Sequence, residues 1–352
     1  MSNNHKKICL LFIAFCLTLG VQAQFSLNPA ALLKTELQKQ SLSSMRALDD
    51  GHLYTLEYIA DYKLDELLQS NAKTADEIFR FVNTKLLSGN ADFKLMGKMG
   101  CSAFLSQAKN GDILFSRNYD FRHAPMAVAV VAHPAGRYSS VGMADPSWGG
   151  FTTVGCFSDG KTDISGAVAL PYLCMDGMNE KGLAIGVLQL NVKPTQQQDA
   201  QKKAFTTTVA IRLALDCAAT VDEVVELWKK YNMFSTIPDC DFHFFVGDAS
   251  GKSIVIEYLN NEMHVLDLKA CANFPLVPEA GADLTKDHRL NIMNEVLAKN
   301  KGCLIDEDEA MTVLKVVRQE HTLWSTVYNL TQRYVKLSLL GNYRNTFQVT
   351  LP

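Results

Sequence analysis

The chain has 352 residues, 47% of them hydrophobic and 20% charged, with a formal net charge of -3. That composition builds one large or two ordinary folded domains with a sizeable core and argues against disorder. With 34 Lys and Arg against 37 Asp and Glu there is no basic excess to hold phosphates, so nucleic acid is not expected as a partner, and a mean hydropathy of -0.01 argues against a polytopic membrane protein.

The chain opens with His5, Lys6 and Lys7, runs through an apolar stretch from Ile8 to Val21 and reaches Val21-Gln22-Ala23. Basic start, apolar middle and small residues at the end are the order of a secretory signal. About 14 apolar residues fall short of the roughly 20 that span a bilayer. Residues 1–23 are therefore expected to be removed, leaving a mature chain from Gln24 that is exported, periplasmic or extracellular, without lasting membrane insertion. No Cys follows the cleavage site, which argues against a lipid anchor. Of nine Cys, Cys9 and Cys16 leave with the signal. The odd number that stays keeps at least one thiol outside any disulfide, and no Cys-x-x-Cys pair or His-rich cluster points to a metal.

Residues 24–100 read as a small helical segment. A helix is expected from Asn28-Pro29 through Leu42, and apolar residues three and four apart mark Tyr58 to Leu68 and Thr74 to Leu87. Thr74 with Glu77 is a capping-box start, and Ser88-Gly89-Asn90 a stop. After Gly100 the texture turns to strands. Ser102–Gln107 and Asp112–Arg117 flank Lys109-Asn110-Gly111, and Asn-Gly is the strongest short hairpin signal. Further strands are expected at Met126–His133, Thr152–Phe157, Ala167–Leu170 and Gly182–Leu190, and helices across 204–231. A hairpin of Phe242–Gly247 and Ser253–Tyr258 follows, then strands His264–Asp267 and Lys269–Phe274, helices at 287–299 and 306–318, and strands Ser325–Leu330, Tyr334–Ser338 and Asn345–Leu351. Antiparallel hairpins with two pairs of long helices make an α+β fold, not a parallel doubly wound one.

Several motifs fail. Gly247, Gly251, Lys252 and Ser253 imitate a phosphate loop, but three residues separate the glycines where four are needed, and a strand follows in place of a helix. No Gly-x-Ser-x-Gly elbow or His-Glu-x-x-His occurs, against an α/β-hydrolase and a zincin. The glycosylation triplet at Asn329 is too short to weigh. His243, His288 and His321 read as core histidines, and Trp148, Trp228 and Trp324 as core or pocket wall.

One constellation survives. Cys101 starts the strand region, and the Asn110-Gly111 turn folds Arg117 and Asp120 back toward it. Arginine beside a cysteine favours thiolate. A cut between Gly100 and Cys101 would free an α-amine with an ordinary pKa of about 7.7–8.0, able to serve as base for its own thiol. Asp120 would hold that amine. The competing structural reading is a buried strand cysteine beside an Arg–Asp ion pair.

The stretch Cys101–Phe121 resembles the start of the choloylglycine hydrolase family, the linear amide C-N hydrolases. These are N-terminal nucleophile (Ntn) hydrolases that include bile salt hydrolases and penicillin V acylases. Asp176-Gly177-Met178-Asn179-Glu180-Lys181-Gly182-Leu183, the Asp248–Glu257 hairpin and Ala272-Asn273-Phe274-Pro275 are similar to three further motifs of that family, in the same order. The resemblance runs from 101 to about 350 and implies an αββα four-layer sandwich of two antiparallel sheets. It gives Cys101 the role of nucleophile, Arg117 and Asp120 those of positioning the thiol and the amine, and Asn273 that of donor to the oxyanion. Arg289 aligns with a later active-site arginine. Gln189 falls where many bile salt hydrolases carry Asn. Many members expose the cysteine by losing only the initiator Met, whereas about a hundred residues precede it here, as in exported, self-cleaving relatives. After Pro275 the long insertion typical of bile salt hydrolases is missing.

The expected organisation is a signal peptide at 1–23, a helical pro-segment at 24–100 and an Ntn hydrolase domain at 101–352. The expected activity is hydrolysis of small N-acyl amides (conjugated bile salt, fatty N-acyl amide or penicillin V type) through a Cys101 thioester, without cofactor or metal. An acyltransferase and a retired binding protein are the alternatives, and a homo-oligomer is left open.

Overall fold

The computed structural model describes residues 30–93, 100–122, 125–281 and 283–352. The expected signal peptide lies outside them. The amino-terminal part forms α1 (Glu36–Ser43), β1 (Arg46–Ala47), β2 (Leu53–Tyr58), α2 (Leu64–Ser70) and α3 (Ala75–Phe81). Then come β3 (Gly100–Ala108), β4 (Ile113–Asp120), β5 (Ala127–Ala132), β6 (Ser140–Ala144), β7 (Cys174–Asn179), β8 (Ala184–Leu190) and β9 (Lys203–Thr206). α4 (Thr207–Cys217) and α5 (Val221–Trp228) precede β10 (Tyr231–Phe234), β11 (Asp241–Gly247), β12 (Ser253–Leu259), β13 (Glu262–Leu266) and β14 (Ala270–Ala272). The chain ends with α6 (His288–Lys299), β15 (Cys303–Leu304), α7 (Glu307–Val317), β16 (Thr322–Asn329), β17 (Tyr334–Leu339) and β18 (Thr346–Thr350).

Two sheets hold the core. One has nine strands in the order β1-β2-β5-β6-β7-β8-β11-β12-β13, and the other seven, β14-β3-β4-β16-β17-β18 with β15 also beside β3. They face each other where β3 meets β8 and β11 and where Phe115 stacks on Phe245 at 5.2 Å. α4 packs on β7 and β8 outside one sheet, α6 and α7 on β3, β4, β14 and β16 outside the other. This is the αββα sandwich. Every residue of β4, β5, β8 and β11 is buried. β5 and β8 are near-continuous apolar runs, as strands covered on both faces tend to be, while β4 and β11 bury polar residues, Arg117, Asp120 and His243 among them.

The Asn110-Gly111 hairpin forms as expected, with Gly111 at φ +94 and its N–H donating to Ala108 O. Thr74 caps α3 by accepting from Glu77 N. Three expectations fail. Residues 30–93, the described part of the expected helical pro-segment, are not helical throughout: β2 lies inside the nine-stranded sheet, parallel to β5, with Leu53, Tyr54, Leu56 and Tyr58 fully buried. Ala167–Leu170 belongs to a 3-10 helix, Ser165–Leu173, where Pro171 has no N–H to give a ladder. Thr152–Phe157 is a run of turns punctuated by Gly150 and Gly155 at positive φ. The three tryptophans are buried. So is Asn329, whose amide donates to Asp112 and Glu307, which closes it to glycosylation in the folded chain.

Candidate active site

The site begins with the β3–β4 register. Cys101 stands opposite Tyr119, Gly100 opposite Asp120 and Ala103 opposite Arg117. Side chains alternate faces along a strand, so Cys101, Arg117 and Tyr119 share the face turned to the other sheet. Arg117 spans that gap. Its Nη2 donates to Cys101 Sγ at 3.1 Å and to Val187 O, and its Nη1 to Met175 O at 2.7 Å and to Asp176. Both charged groups are fully buried. Asp176 also accepts from Trp324 Nε1 at 2.9 Å and from the Tyr328 hydroxyl, so its position is set by the opposite sheet.

The guanidinium needs Gly186 beneath it. A Cβ there would stand 2.8 Å from Arg117 Cδ and 3.1 Å from Nε. Gly186→Ala is therefore expected to cost about 1–3 kcal/mol of overpacking strain. It should lower the thermal midpoint by a few degrees and slow alkylation of Cys101 by iodoacetamide; an unchanged alkylation rate would show that Arg117 does not hold the thiol.

Asn273 leaves the end of β14, which pairs with β3. Its Oδ1 accepts from the Cys101 main-chain N–H, and its Nδ2 donates to Gln189 O at 3.0 Å. Arg289, in the first turn of α6, donates from Nη1 to Cys101 O at 2.8 Å and to Asn273 Oδ1 at 3.2 Å. The α6 cap Asp287 accepts from Arg289 N and Leu290 N and holds Arg289 Nη2 at 3.1 Å. Five of the six expected site residues thus bring side chains together. Gln189 does not. β8 runs in unbroken register with β11, so alternation puts its side chain on the face away from Gly186 and Arg117. Gln189, expected among the site residues, enters the site through its carbonyl, which accepts from Asn273 Nδ2.

Asp120 is buried with its Oδ1 accepting from the Thr322 hydroxyl. Its Oδ2 has no hydrogen bond among the described residues; the nearest cationic nitrogen, Arg289 Nη1, is 3.6 Å away. A Cβ on Gly100 would stand 3.3 Å from that oxygen, so a residue without one fits here. Burial raises the Asp120 carboxyl above its ordinary range despite Thr322 and Arg289. Burial likewise pushes the Cys101 thiol up, against the pull of Arg117 and with a further push from Asp120. In the uncut chain the sulfur is fully covered and its own nitrogen is an amide, with no lone pair to accept a proton.

Asp176 was within a recognised motif but carried no role there; only its buried partners reveal one. The rest of that motif is architectural. A Cβ on Gly177 would stand 2.8 Å from Val141 O, and Asn179 Nδ2 ties the turn to Leu215 O and Ala218 O. A cleft of about 320 Å³ beside Phe274, Pro275, Lys286 and Asp287 borders the Asn273–Arg289 edge. A larger hollow of about 560 Å³ touches Leu105–Gln107, four to six residues along β3, or roughly 13–20 Å away at about 3.3 Å per residue. No His, Cys, Asp and Glu group among the described residues is placed to hold a metal.

Residues 101–275 match the linear amide C-N hydrolases, choloylglycine hydrolase family. A penicillin V acylase of Pectobacterium atrosepticum is 30% identical over 112 residues, 28% of this chain and 30% of that protein. A bile salt hydrolase/transferase of Clostridium perfringens is 32% identical over 99 residues, 26% of this chain and 30% of that protein. The chain so matches less than a third of either relative's length. A mutant conjugated bile acid hydrolase of Clostridium perfringens, solved as a crystal structure, has the same fold, with a TM-score of 0.51 at 16% identity over 71% of this chain and 92% of that one.

Proposed function

Because the chain belongs to the choloylglycine hydrolase family of linear amide C-N hydrolases, we propose that it is an exported cysteine Ntn amidohydrolase, cut before Cys101 and active on N-acyl amides with a large apolar acyl group. The observation that carries this reading is the placement of Cys101. Its Sγ is held by a buried guanidinium, its nitrogen by Asn273, and a carboxylate oxygen of Asp120 that accepts no hydrogen bond among the described residues stands beside Gly100. An ammonium freed at residue 101 would give that oxygen a hydrogen-bond donor, beside the Arg289 guanidinium at 3.6 Å.

In the cut enzyme the α-amine takes the thiol proton as Sγ bonds to the amide carbon and the carbonyl electron pair moves onto oxygen. Asn273 Nδ2, turning from Gln189 O, supports that oxyanion; one such donor is worth about 2.7–4 kcal/mol. The C–N bond then breaks, and the amine proton passes to the leaving nitrogen. Water adds to the thioester, the C–S bond breaks, and the acid leaves with the thiol restored. An added amine could take the acyl group in place of water, as the transferase in the name of the Clostridium perfringens relative suggests. Competition between water and glycine or taurine separates the two.

The test is intact mass and amino-terminal sequencing of the secreted protein, followed by glycocholate, penicillin V and N-acyl ethanolamines as substrates. The expected amino terminus is Cys101, with one of these hydrolysed. A chain that starts at Gln24, stays whole and turns over none of them refutes the proposal.

The amino-terminal segment is expected to stay attached after the cut. β2 is hydrogen-bonded to β5, Tyr62 donates to the buried Asp216 at 2.6 Å, and Tyr172 donates to Tyr62 O. Removing it would expose four fully buried side chains of β2, at about 1.5–3 kcal/mol each. Both fragments should co-elute on a sizing column and separate only in denaturant; a lone carboxy-terminal fragment would contradict this.

A further inference from the structure

The turn that carries Asn273 is anchored at two points. The first is the Asn273 side chain, on Cys101 and Gln189. The second lies three residues on. Glu257 Oε1 accepts from Leu276 N at 3.1 Å and from Val277 N at 3.2 Å, and Oε2 accepts from Leu276 N at 2.9 Å. Glu257 sits on β12 of the nine-stranded sheet, while Asn273 follows β14 of the seven-stranded one. This one carboxylate therefore ties the oxyanion turn across the sandwich.

The carboxylate is itself held. His243 on β11 lies at 2.9 Å from Oε2 through Nδ1. An ionised carboxylate only accepts, so Nδ1 carries the proton. Both side chains are buried, at 0% and 1% exposure. Burial opposes ionisation of Glu257, but His243 and the two main-chain N–H groups outweigh it and its carboxyl lies below the ordinary range. Such a charge kept inside a core is costly unless fully bonded, and neither residue touches Cys101 Sγ or any atom proposed to react.

We propose that Glu257, steadied by His243, is a positioning residue that clamps the main chain at 276–277 and thereby aims Asn273 at the Cys101 nitrogen and the oxyanion. It rests on the hydrolase reading for its kinetic consequence. Glu257 acts before any substrate is bound, by preorganising a donor that would otherwise have to be ordered during acylation. Because Asn273 is its sole route to the chemistry, its effect must vanish when Asn273 is gone.

The experiment is a double-mutant cycle on the processed enzyme, with whichever of glycocholate, penicillin V or N-acyl ethanolamine the wild type hydrolyses fastest. Glu257→Gln is expected to lower kcat about 10–100-fold with KM within about threefold. In an Asn273→Ala background the same change should cost less than about threefold. Equal losses in both backgrounds overturn the proposal, as does an unchanged kcat. If Glu257→Gln is insoluble, His243→Gln replaces it, with a smaller expected fall in kcat and the same non-additivity. A crystal structure of Glu257→Gln reads the clamp without a substrate: a displaced 273–277 turn and a broken Asn273–Cys101 bond are expected. An unmoved turn overturns the clamp, and a moved turn in a protein that hydrolyses nothing sinks the hydrolase reading alone.

Discussion

Cys101→Ala is expected to leave a chain that is never cut before residue 101 and that hydrolyses no N-acyl amide above background, a loss on the order of 10^6-fold. One sulfur is proposed to serve both events. In the precursor it attacks the Gly100 carbonyl carbon; the C–N bond breaks, which frees the Cys101 amine and leaves a thioester, and water then breaks the C–S bond to release the Gly100 carboxylate and restore the thiol. In the mature enzyme it attacks the substrate. The fold should tolerate the change, because the deleted atom lies in a small, fully enclosed space and leaves a void worth about 1 kcal/mol or less. Arg117 keeps three of its four partners. Intact mass, sequencing and a thermal scan check all of this together. Cleavage of the Ala variant at the same bond would assign processing to another protease. Producing residues 24–100 and a chain starting at Cys101 as separate polypeptides then separates processing from hydrolysis: the pair with Cys should be active, the pair with Ala should not.

What could be read in advance follows the reach of the interactions. The Cys101–Asp120 hairpin is legible because a short Asn-Gly turn folds β4 back on β3, and the three-residue loop Lys109-Asn110-Gly111 fixes the register that places Arg117 and Asp120. Asn273 and Arg289 lie 172 and 188 residues from Cys101; no local pattern joins them, and only the resemblance brought them in. The face that Gln189 presents is legible only once Gly186 is known to lie under Arg117. β2 escaped notice because helical stretches flank it. Its Leu-Tyr-Thr-Leu-Glu-Tyr pattern leaves Thr55 half-buried and Glu57 exposed, which is strand alternation in a segment too short to announce itself. β6 has Gly142 at its centre, where a side chain would meet Cys174 Sγ at 2.8 Å, so its strongest packing constraint is an absent atom. Asp176 and Glu257 lie within familiar motifs, yet their roles depend on partners far off in sequence: Arg117, Trp324 and Tyr328 of the facing sheet for Asp176, and His243 of the same sheet with the main chain at 276–277 for Glu257.

The second large effect is expected at Arg117. Arg117→Met removes the guanidinium that binds Cys101, Asp176 and two carbonyls, and breaks a fully buried ion pair, which typically costs about 3–5 kcal/mol. Arg117→Met/Asp176→Asn removes both charges and should regain most of that stability, because the desolvated carboxylate no longer stands alone. Activity separates the two roles. Burial is the first cause of the raised Cys101 thiol, and Arg117 is the first that opposes it. Without the guanidinium the thiolate should form only at higher pH, so the alkylation profile of the processed enzyme moves to alkaline pH in both variants. Hydrolysis should stay low by about 10^2–10^3-fold in both. The linkage has a definite sign. A thiol whose folded pKa exceeds its unfolded value of about 8.5 stabilises the fold below that value and loses the contribution as pH rises through the folded one. Arg117→Met raises the folded value further, so stability falls over a wider pH range above about 8.5, in addition to the loss at neutral pH through the broken pair. A double variant that is stable, keeps the wild-type alkylation profile and hydrolyses normally would reduce Arg117 to a structural ion pair. A stable double variant with an alkaline-shifted profile and little hydrolysis would mark the guanidinium as the group that makes a buried cysteine a nucleophile.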